Sequence, residues 1–272
     1  TSVKFIGSCH EIVDGNTYLS ALLQLPEEQL HVVAAGLNHF TWYLDIRNKE
    51  TGEDLYPMVR ELAPGNVHMD RLLVADLLRL TNYLCVTSDS HAGEYLVNGH
   101  IWRTLWAPDL EPFDFFSVYQ LYLKDTDERV ANAVNGSYPL DDFMQWPSGE
   151  IVAEIISSLA HARKDRYNAL NFSNNGYISN LPSKAIVEVP GWTNGGQVKG
   201  DPVGALPTVI AGWCNQQATI HYLNAKAAME GDRQAALEAL LLDPAVPDRF
   251  TAEKCLDAMF EAHRAYLPRF YS

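Results

Sequence analysis

The sequence predicts one α/β (α+β) unit, with many helices around a modest sheet. Three observations carry that expectation. Two apolar, β-rich runs stand out, His31–Ile46 and Ala185–Pro190. Several longer stretches repeat their apolar residues at helical spacing, which a strand would not do. Across all 272 residues there is no internal repeat, no low-complexity linker and no composition break to mark a second domain.

Taken in order, Val3–Gly7 reads as a buried strand with nothing leading into it. Natural chains seldom begin in mid-core, so a fragment or a split subunit is expected. Glu11 to Leu25 is amphipathic and ends at Pro26, which cannot continue a helix. His31–Ile46 carries Gly36-Leu37-Asn38-His39-Phe40-Thr41-Trp42, and Arg47–Asp54 reads as a polar loop or hairpin. Helices follow near Leu55–Leu62 and Val67–Tyr83, the second with Met69, Leu72, Leu73, Ala75 and Leu77 at roughly helical spacing. The non-periodic polar stretch Thr87–Tyr95 then reads as a loop that carries function. Gly149–Arg163 reads as a helix with Ile151, Ile155, Ile156 and Leu159 as its apolar stripe. Asn174-Asn175-Gly176 and Asn180-Leu181-Pro182 bracket a turn before the strand Ala185–Pro190. Thr208–Leu242 is a long helix or a broken pair, and Thr251–Tyr266 a terminal helix.

Composition narrows the function. With 47% hydrophobic and 20% charged residues the chain is an ordinary globular one, long enough to bury a sizeable core. A net charge of −14 argues against a nucleic-acid binder, which would need clustered Lys and Arg. Cys9, Cys85, Cys214 and Cys255 are scattered with no CxxC, which reads as reduced and intracellular, hence cytoplasmic. No apolar run is long enough to span a bilayer, and no signal peptide is evident, so no membrane partner is expected.

Cys9 and His39 are the first chemical candidates. A thiolate and an imidazole are good ligands for a first-row divalent metal, and each is expected just after a strand, where side chains face a cleft. Two ligands do not make a structural zinc site, but a catalytic site can be completed by substrate oxygens and water. Residue type alone leaves open a buried inert thiol and a core histidine. His10, beside the first ligand, is either an acid or base or a plain surface histidine. His91, Glu94 and Tyr95 share one stretch. A tyrosine acts as a base only when a cation lowers its pKa, and otherwise Tyr95 is a core or interface aromatic. The amides of Asn174-Asn175-Gly176 can bond ligand hydroxyls, although Asn-Gly is also a common hairpin pair. There is no GxGxxG after a strand; Gly195-Gly196-Gln197-Val198-Lys199-Gly200 has the wrong spacing for a dinucleotide loop.

In collinear order these segments resemble the C-terminal part of glycoside hydrolase family 4. Gly7-Ser8-Cys9-His10 resembles the family's G-x-C-H, and Gly36-Leu37-Asn38-His39 its G-[IL]-N-H. Ser88-Asp89-Ser90-His91-Ala92-Gly93-Glu94-Tyr95 is similar to E-S-S-E-H-x-x-E-Y. Asn174-Asn175-Gly176, Asn180-Leu181-Pro182 and Val187-Glu188-Val189-Pro190 resemble N-N-G, N-L-P and V-E-V-P. Val203-Gly204-Ala205-Leu206-Pro207 and Leu242-Asp243-Pro244 resemble V-G-x-L-P and L-D-P.

The resemblance implies a two-part enzyme: an N-terminal Rossmann domain for NAD, then a larger substrate domain like that of lactate dehydrogenase, with a mixed sheet. Residues 1–272 would be that second, substrate- and metal-binding domain, with the Rossmann domain absent from this chain or present as a separate subunit. The implied reaction is the NAD-dependent exception to two-carboxylate glycosidases. The sugar's C3 hydroxyl is oxidised, the acidified C2 proton is removed, the C1 leaving group is eliminated, water adds and the ketone is reduced. By the same resemblance Cys9 and His39 are ligands of Mn²⁺ or another divalent metal, and Asn38, His91 and Asn175 are sugar contacts. His10 is the acid for the leaving oxygen and Tyr95 the C2 base. Asp89 replaces the motif's Glu, and Gly93 is expected to loosen the loop.

Cys-His resembles the branch acting on unphosphorylated α-glycosides, and Cys9-His10-Glu11 its α-galacturonidase and α-glucuronidase members. A uronate would need a cation, for which Arg47, Arg71 and Arg103 are candidates. Family members are commonly dimers or tetramers, so a homo-oligomer is expected, with Trp102–Tyr122 as one candidate interface. A competing reading is an inactive binding or assembly module that keeps the fold without the chemistry.

Overall fold

The computed structural model describes residues 5–65, 71–99, 115–143 and 150–271. Arg103, Gly149, the start of the helix expected at Val67 and most of Trp102–Tyr122 lie outside them. The order is α1 (Glu11–Leu23), β1 (Leu30–Leu37), β2 (Phe40–Asn48), α2 (Tyr56–Leu62), α3 (Leu72–Thr81) and α4 (Asp89–Ala92). Then come α5 (Phe115–Val134), α6 (Leu140–Phe143), α7 (Val152–Ala160), β3 (Asp165–Ser173), β4 (Ile186–Asn194) and β5 (Gln197–Gly200). The chain closes with α8 (Thr208–Glu230), α9 (Arg233–Leu242) and α10 (Arg249–Ala262).

One sheet runs β2-β1-β4-β3, with β5 also on β4. Every strand pair in it is antiparallel, where a mixed sheet was expected. Two connections account for part of this: β1–β2 and β4–β5 turn over two residues each, too little chain for a parallel crossover. The lone parallel pairing among the described residues is an isolated bridge, Ile178–Gly204. The α/β character and the helical surround are as expected.

The β1–β2 hairpin is the spine of the core. Leu37, Phe40, Trp42, Tyr43 and Ile46 are fully buried, each such burial being worth about 1.5–3 kcal/mol. The turn is tight enough that a Cβ on Gly36 would sit 2.4 Å from the Phe40 carbonyl oxygen, which is why glycine stands there. Helix α1 lies close on β2: Gly15 leaves room for the Tyr43 hydroxyl, which donates to Asn16 Oδ1 at 2.9 Å. Trp213 of α8 stacks on Trp42, with centroids 6.0 Å apart, and so joins the C-terminal helices to the same core.

Two expectations near the N-terminus and in α7 need correction. Phe5 is exposed, and among the described residues of the opening run, Phe5–Gly7, only Gly7 pairs, through an isolated bridge to Asn171. The described part is therefore an approach to the sheet and not a buried strand. In α7 Ile155 is buried but Ile156 faces out, because residues one apart point about 100° apart on a helix.

The stretch Thr87–Tyr95 is ordered structure, not a loop. It forms α4 and a 3-10 turn, Gly93–Tyr95, and Gly93 itself has helical dihedrals. Asp89 is buried and accepts from the N–H groups of Leu73 (3.0 Å) and Val74 (2.9 Å), so it caps the start of α3 from outside. That cap pins α4 in place.

The β3–β4 turn hangs on Asn174, which is completely buried. Its amide donates to the carbonyls of Ile178 (2.9 Å), Leu181 (3.0 Å) and Pro182 (3.2 Å) and accepts from Ile178 N at 2.7 Å. Asn174→Ala strands these groups, and is expected to lower the unfolding free energy by about 2–4 kcal/mol in urea denaturation. Asn175→Gly, at an exposed site with φ +41°, should stay within about 0.5 kcal/mol of the parent.

Candidate functional site

Gly7 exchanges backbone hydrogen bonds with Asn171 at 2.9 and 3.2 Å, which docks the N-terminal segment on β3. A Cβ on Gly7 would meet the Asn171 Cβ at 2.9 Å, so the close approach requires glycine. Cys9 is thereby delivered, buried, to the turn end of the β1–β2 hairpin. His39 occupies the hairpin turn with φ +61°, a left-handed conformation uncommon outside glycine but visited by His, Asn and Asp more than by other side chains. Its Nε2 lies 3.1 Å from Cys9 Sγ. Burial raises the pKa of the Cys9 thiol, and burial, with His91 second, lowers that of His39. The lowered His39 pKa favours the neutral imidazole whose lone pair can bind a metal, whereas the Cys9 thiol has to release its proton to do so.

Asn38, the other turn residue, is held at both ends. Its Nδ2 donates to Glu188 Oε2 at 3.0 Å, and its carbonyl accepts from the Tyr95 hydroxyl at 2.9 Å. Tyr95 stacks flat on Phe40, with centroids 4.4 Å apart, and burial pushes its phenol well above the ordinary range. Glu188 is 1% exposed and also accepts from Asn171 Nδ2 at 3.4 Å, while its Oε1 has no partner. Burial pushes its carboxyl up to about 7, with the two amides pulling the other way.

Histidines and carboxylates ring the Cys9–His39 pair. His10 Nδ1 is 3.4 Å from Glu150 Oε1, and its Nε2 is 3.6 Å from Asp14 and 3.9 Å from Glu11. The Ser8 hydroxyl donates to the other Glu150 oxygen at 3.2 Å. His91 packs on His39 with centroids 4.4 Å apart and faces Glu11 at 3.8 Å and Glu94 at 3.7 Å. Glu94 beside it raises the His91 pKa, against the opposing effect of burial. Two triads, Cys9–His10–Glu150 and Glu11–His39–His91, each bring their ligand atoms within 4.8 Å of one another.

The structure thus gathers Cys9, His10, Asn38, His39, His91 and Tyr95. Asn175 stands apart: it lies on the exposed β3–β4 turn and donates to Ser173 O at 3.3 Å, with no described bond to the cluster. Arg47 sits at the far end of β2, donating to Asp45 at 2.9 Å and to Gly52 O. Arg71 is buried under the Tyr18 ring, donating to the carbonyls of Val86 and Thr87. Glu11, Glu150, Asn171 and Glu188 were not singled out from sequence. For Glu188 a signal existed, since it is polar within the apolar run Ile186–Pro190.

A profile of the family 4 glycosyl hydrolase C-terminal domain matches residues 34–246. The chain belongs to family 4 of the glycosyl hydrolases. It is 26% identical to an alpha-glucosidase of Erwinia rhapontici over 97% of its own length and 63% of that protein. It is 25% identical to an alpha-galacturonidase of Bacillus subtilis, over 95% of this chain and 62% of the other. Among solved structures it superposes on a 6-phospho-beta glucosidase of Thermotoga maritima, determined with manganese, NAD⁺ and glucose-6-phosphate, with a TM-score of 0.74 at 21% identity. That likeness covers 96% of this chain and 61% of the Thermotoga protein. The chain therefore spans less than two thirds of the family members it matches.

Glu188 makes stability pH-dependent. Its folded pKa of about 7 lies above the ordinary 4.5, so the folded state holds a proton that the unfolded state has released. Stability from this group is present below pH 4.5 and is lost as pH rises through 7, by roughly 3 kcal/mol in all. Glu188→Gln is expected to flatten that fall, read as urea unfolding free energies at pH 5.5 and 8.

Proposed function

We propose that this chain is the substrate- and metal-binding domain of a family 4 glycosidase acting on unphosphorylated α-glycosides or α-uronides, with a Rossmann domain or subunit as its partner. The observation that carries the reading is the Cys9 Sγ–His39 Nε2 contact of 3.1 Å, with Asn38 and His10 alongside. A thiol and an imidazole at that spacing, flanked by carboxylates, fit a divalent cation such as Mn²⁺, which Cys9 and His39 would hold. Such a cation, when bound, polarises sugar oxygens as a Lewis acid. NAD, which the resemblance calls for, would be bound mainly by the Rossmann partner.

The chain's own residues have distinct tasks in this scheme. Glu188 occupies the Asn38 amide nitrogen, which leaves Asn38 Oδ1 to accept from a sugar hydroxyl. His10 is half-exposed and holds the proton given to the leaving oxygen, with its ring oriented by Glu150 at Nδ1. Tyr95 is assigned to the C2 proton by resemblance and by its bond to Asn38. A buried phenol raised in pKa is a poor base on its own, so the assignment requires a cation beside it. His91, packed on His39, contacts the sugar on the other side.

Arg47 and Arg71 are engaged elsewhere, and the carboxylates around the pair favour a neutral hexose; a uronate would depend on Arg103. The same reading takes the protein as a cytoplasmic homo-oligomer, with no part for nucleic acid, which the charge of −14 supports, or for a membrane; no described helix is long and apolar enough to cross one.

The test is reconstitution with the Rossmann half, NAD⁺, Mn²⁺ and a reductant. Release of 4-nitrophenol is expected from an α-glucoside, α-galactoside or α-galacturonide. Cys9→Ser and His39→Ala should abolish it, and His10→Ala should slow it on the order of 10²–10⁴-fold. Release from no aryl α-glycoside or α-uronide would overturn the catalytic reading in favour of a binding module.

A further inference from the structure

We propose that the groove between the start of β4 and the later part of α8 binds a small aromatic carboxylate. The site is separate from the Cys9–His39 cluster and owes nothing to the chemistry proposed for it.

The shape comes from two elements laid side by side. One wall is Pro182, Lys184 and Ile186, at and just before the start of β4; the other is Ala218, Tyr222 and Ala225 of α8. Ala218 and Ala225 stand four residues before and three after Tyr222, so all three share a helix face and the small pair leaves space on either side of the ring. The cavity measures about 500 Å³, within the range of about 300–1,000 Å³ that small-molecule sites occupy. Its first wall is held in place: Pro182 O accepts from Asn174 Nδ2 and from Ala185 N, and Ala185 O accepts from Asn174 N at 2.8 Å. The groove is therefore preformed.

Its walls suit an apolar body. From Thr208 to Ala225, α8 carries no Asp, Glu, Lys or Arg. Yet Tyr222 is 62% exposed here, and Ile186 across the groove 55%. Helix faces that meet water ordinarily carry charge, and adjoining exposed apolar side chains mark a contact surface. The tyrosine ring offers a flat face on which an aromatic ligand stacks.

The charge pattern sets the head group. Lys184 is the one Lys, Arg, Asp or Glu lining the groove, and it makes no ion pair among the described residues. Farther along α8, by contrast, Lys226 is paired with Asp232 at 2.8 Å. His221, also on the groove, adds no second cation. Burial lowers its pKa, and Gln217 Nε2 donates to its Nε2 at 3.2 Å, which requires that nitrogen to be unprotonated. In a chain of net charge −14, an ammonium without a counter-ion between apolar walls selects an acid group on the ligand. A carboxylate on Lys184 with a ring against Tyr222 satisfies both halves of the groove.

The test is calorimetric titration of the full chain with 2-naphthoate as the probe, and one bound 2-naphthoate per chain is expected. Lys184→Gln should weaken binding about tenfold, and 2-naphthol, uncharged at neutral pH, should bind the parent about tenfold more weakly than 2-naphthoate. Ala225→Trp fills the groove from an exposed position and should abolish binding. Near-ultraviolet circular dichroism reports whether that variant folds; if it does not, the Lys184→Gln and 2-naphthol results decide. A parent that binds no 2-naphthoate overturns the site, and so does binding that Ala225→Trp leaves unchanged, since the probe then sits elsewhere. Equal affinities for 2-naphthol and 2-naphthoate overturn the selection of an acid. A dimer by sedimentation that Ala225→Trp converts to monomer gives this face to a second copy of the chain and likewise removes the site.

Discussion

A buried carboxylate held by two amides joins the halves of this domain. Glu188 sits at the one register point where β1 meets β4, opposite Gly36, and accepts from Asn38 and Asn171. Asn171 in turn anchors Gly7, and with it the segment that carries Cys9 and His10. Three stretches distant in sequence therefore share one interior carboxyl group: the N-terminal approach, the hairpin turn and the β3–β4 pair. One of its oxygens is bonded twice and the other not at all, and burial of the group favours its protonated form. The arrangement fixes Asn38 and Cys9 within the same small region, and the chemistry proposed for them depends on that placement.

Much of this was legible in the sequence because local signals agreed with the final fold. Pro26 follows the end of α1 and Asn174 marks the turn between β3 and β4; the hairpin turn at Asn38-His39 was not legible, since His31–Ile46 read as one β-rich run that the fold divides into β1 and β2. The gathered residues Cys9, His10, Asn38 and His39 came from motif order, not from spacing, since thirty residues of chain say nothing about a 3.1 Å contact. Asp89 was read as part of a functional loop because polar side chains look alike in one dimension. Only the fold shows that it caps a helix sixteen residues upstream.

The residues missed have a common physical character. Glu11, Glu150, Asn171 and Glu188 do nothing identifiable by themselves and acquire a role by facing something from another element. A Glu inside the apolar run Ile186–Val189 conflicts with the alternation of a half-buried strand. Such conflicts mark places where a fold has kept a polar group for a reason other than packing. The arginines show the converse: Arg71 has a charge suited to binding an anion, but it is consumed by two backbone carbonyls and a tyrosine ring.

His39 combines two demands that pull in opposite directions. Its imidazole is wanted at the site, yet its backbone is left-handed at φ +61°, where a side chain with a Cβ costs about 1–2 kcal/mol relative to glycine. Random variation screened for heat resistance alone would favour glycine at this turn, and the winners would be sturdier but without the imidazole. The position is thus a point of conflict between endurance and chemistry. A histidine at residue 39 sets a local backbone cost against whatever its imidazole supplies.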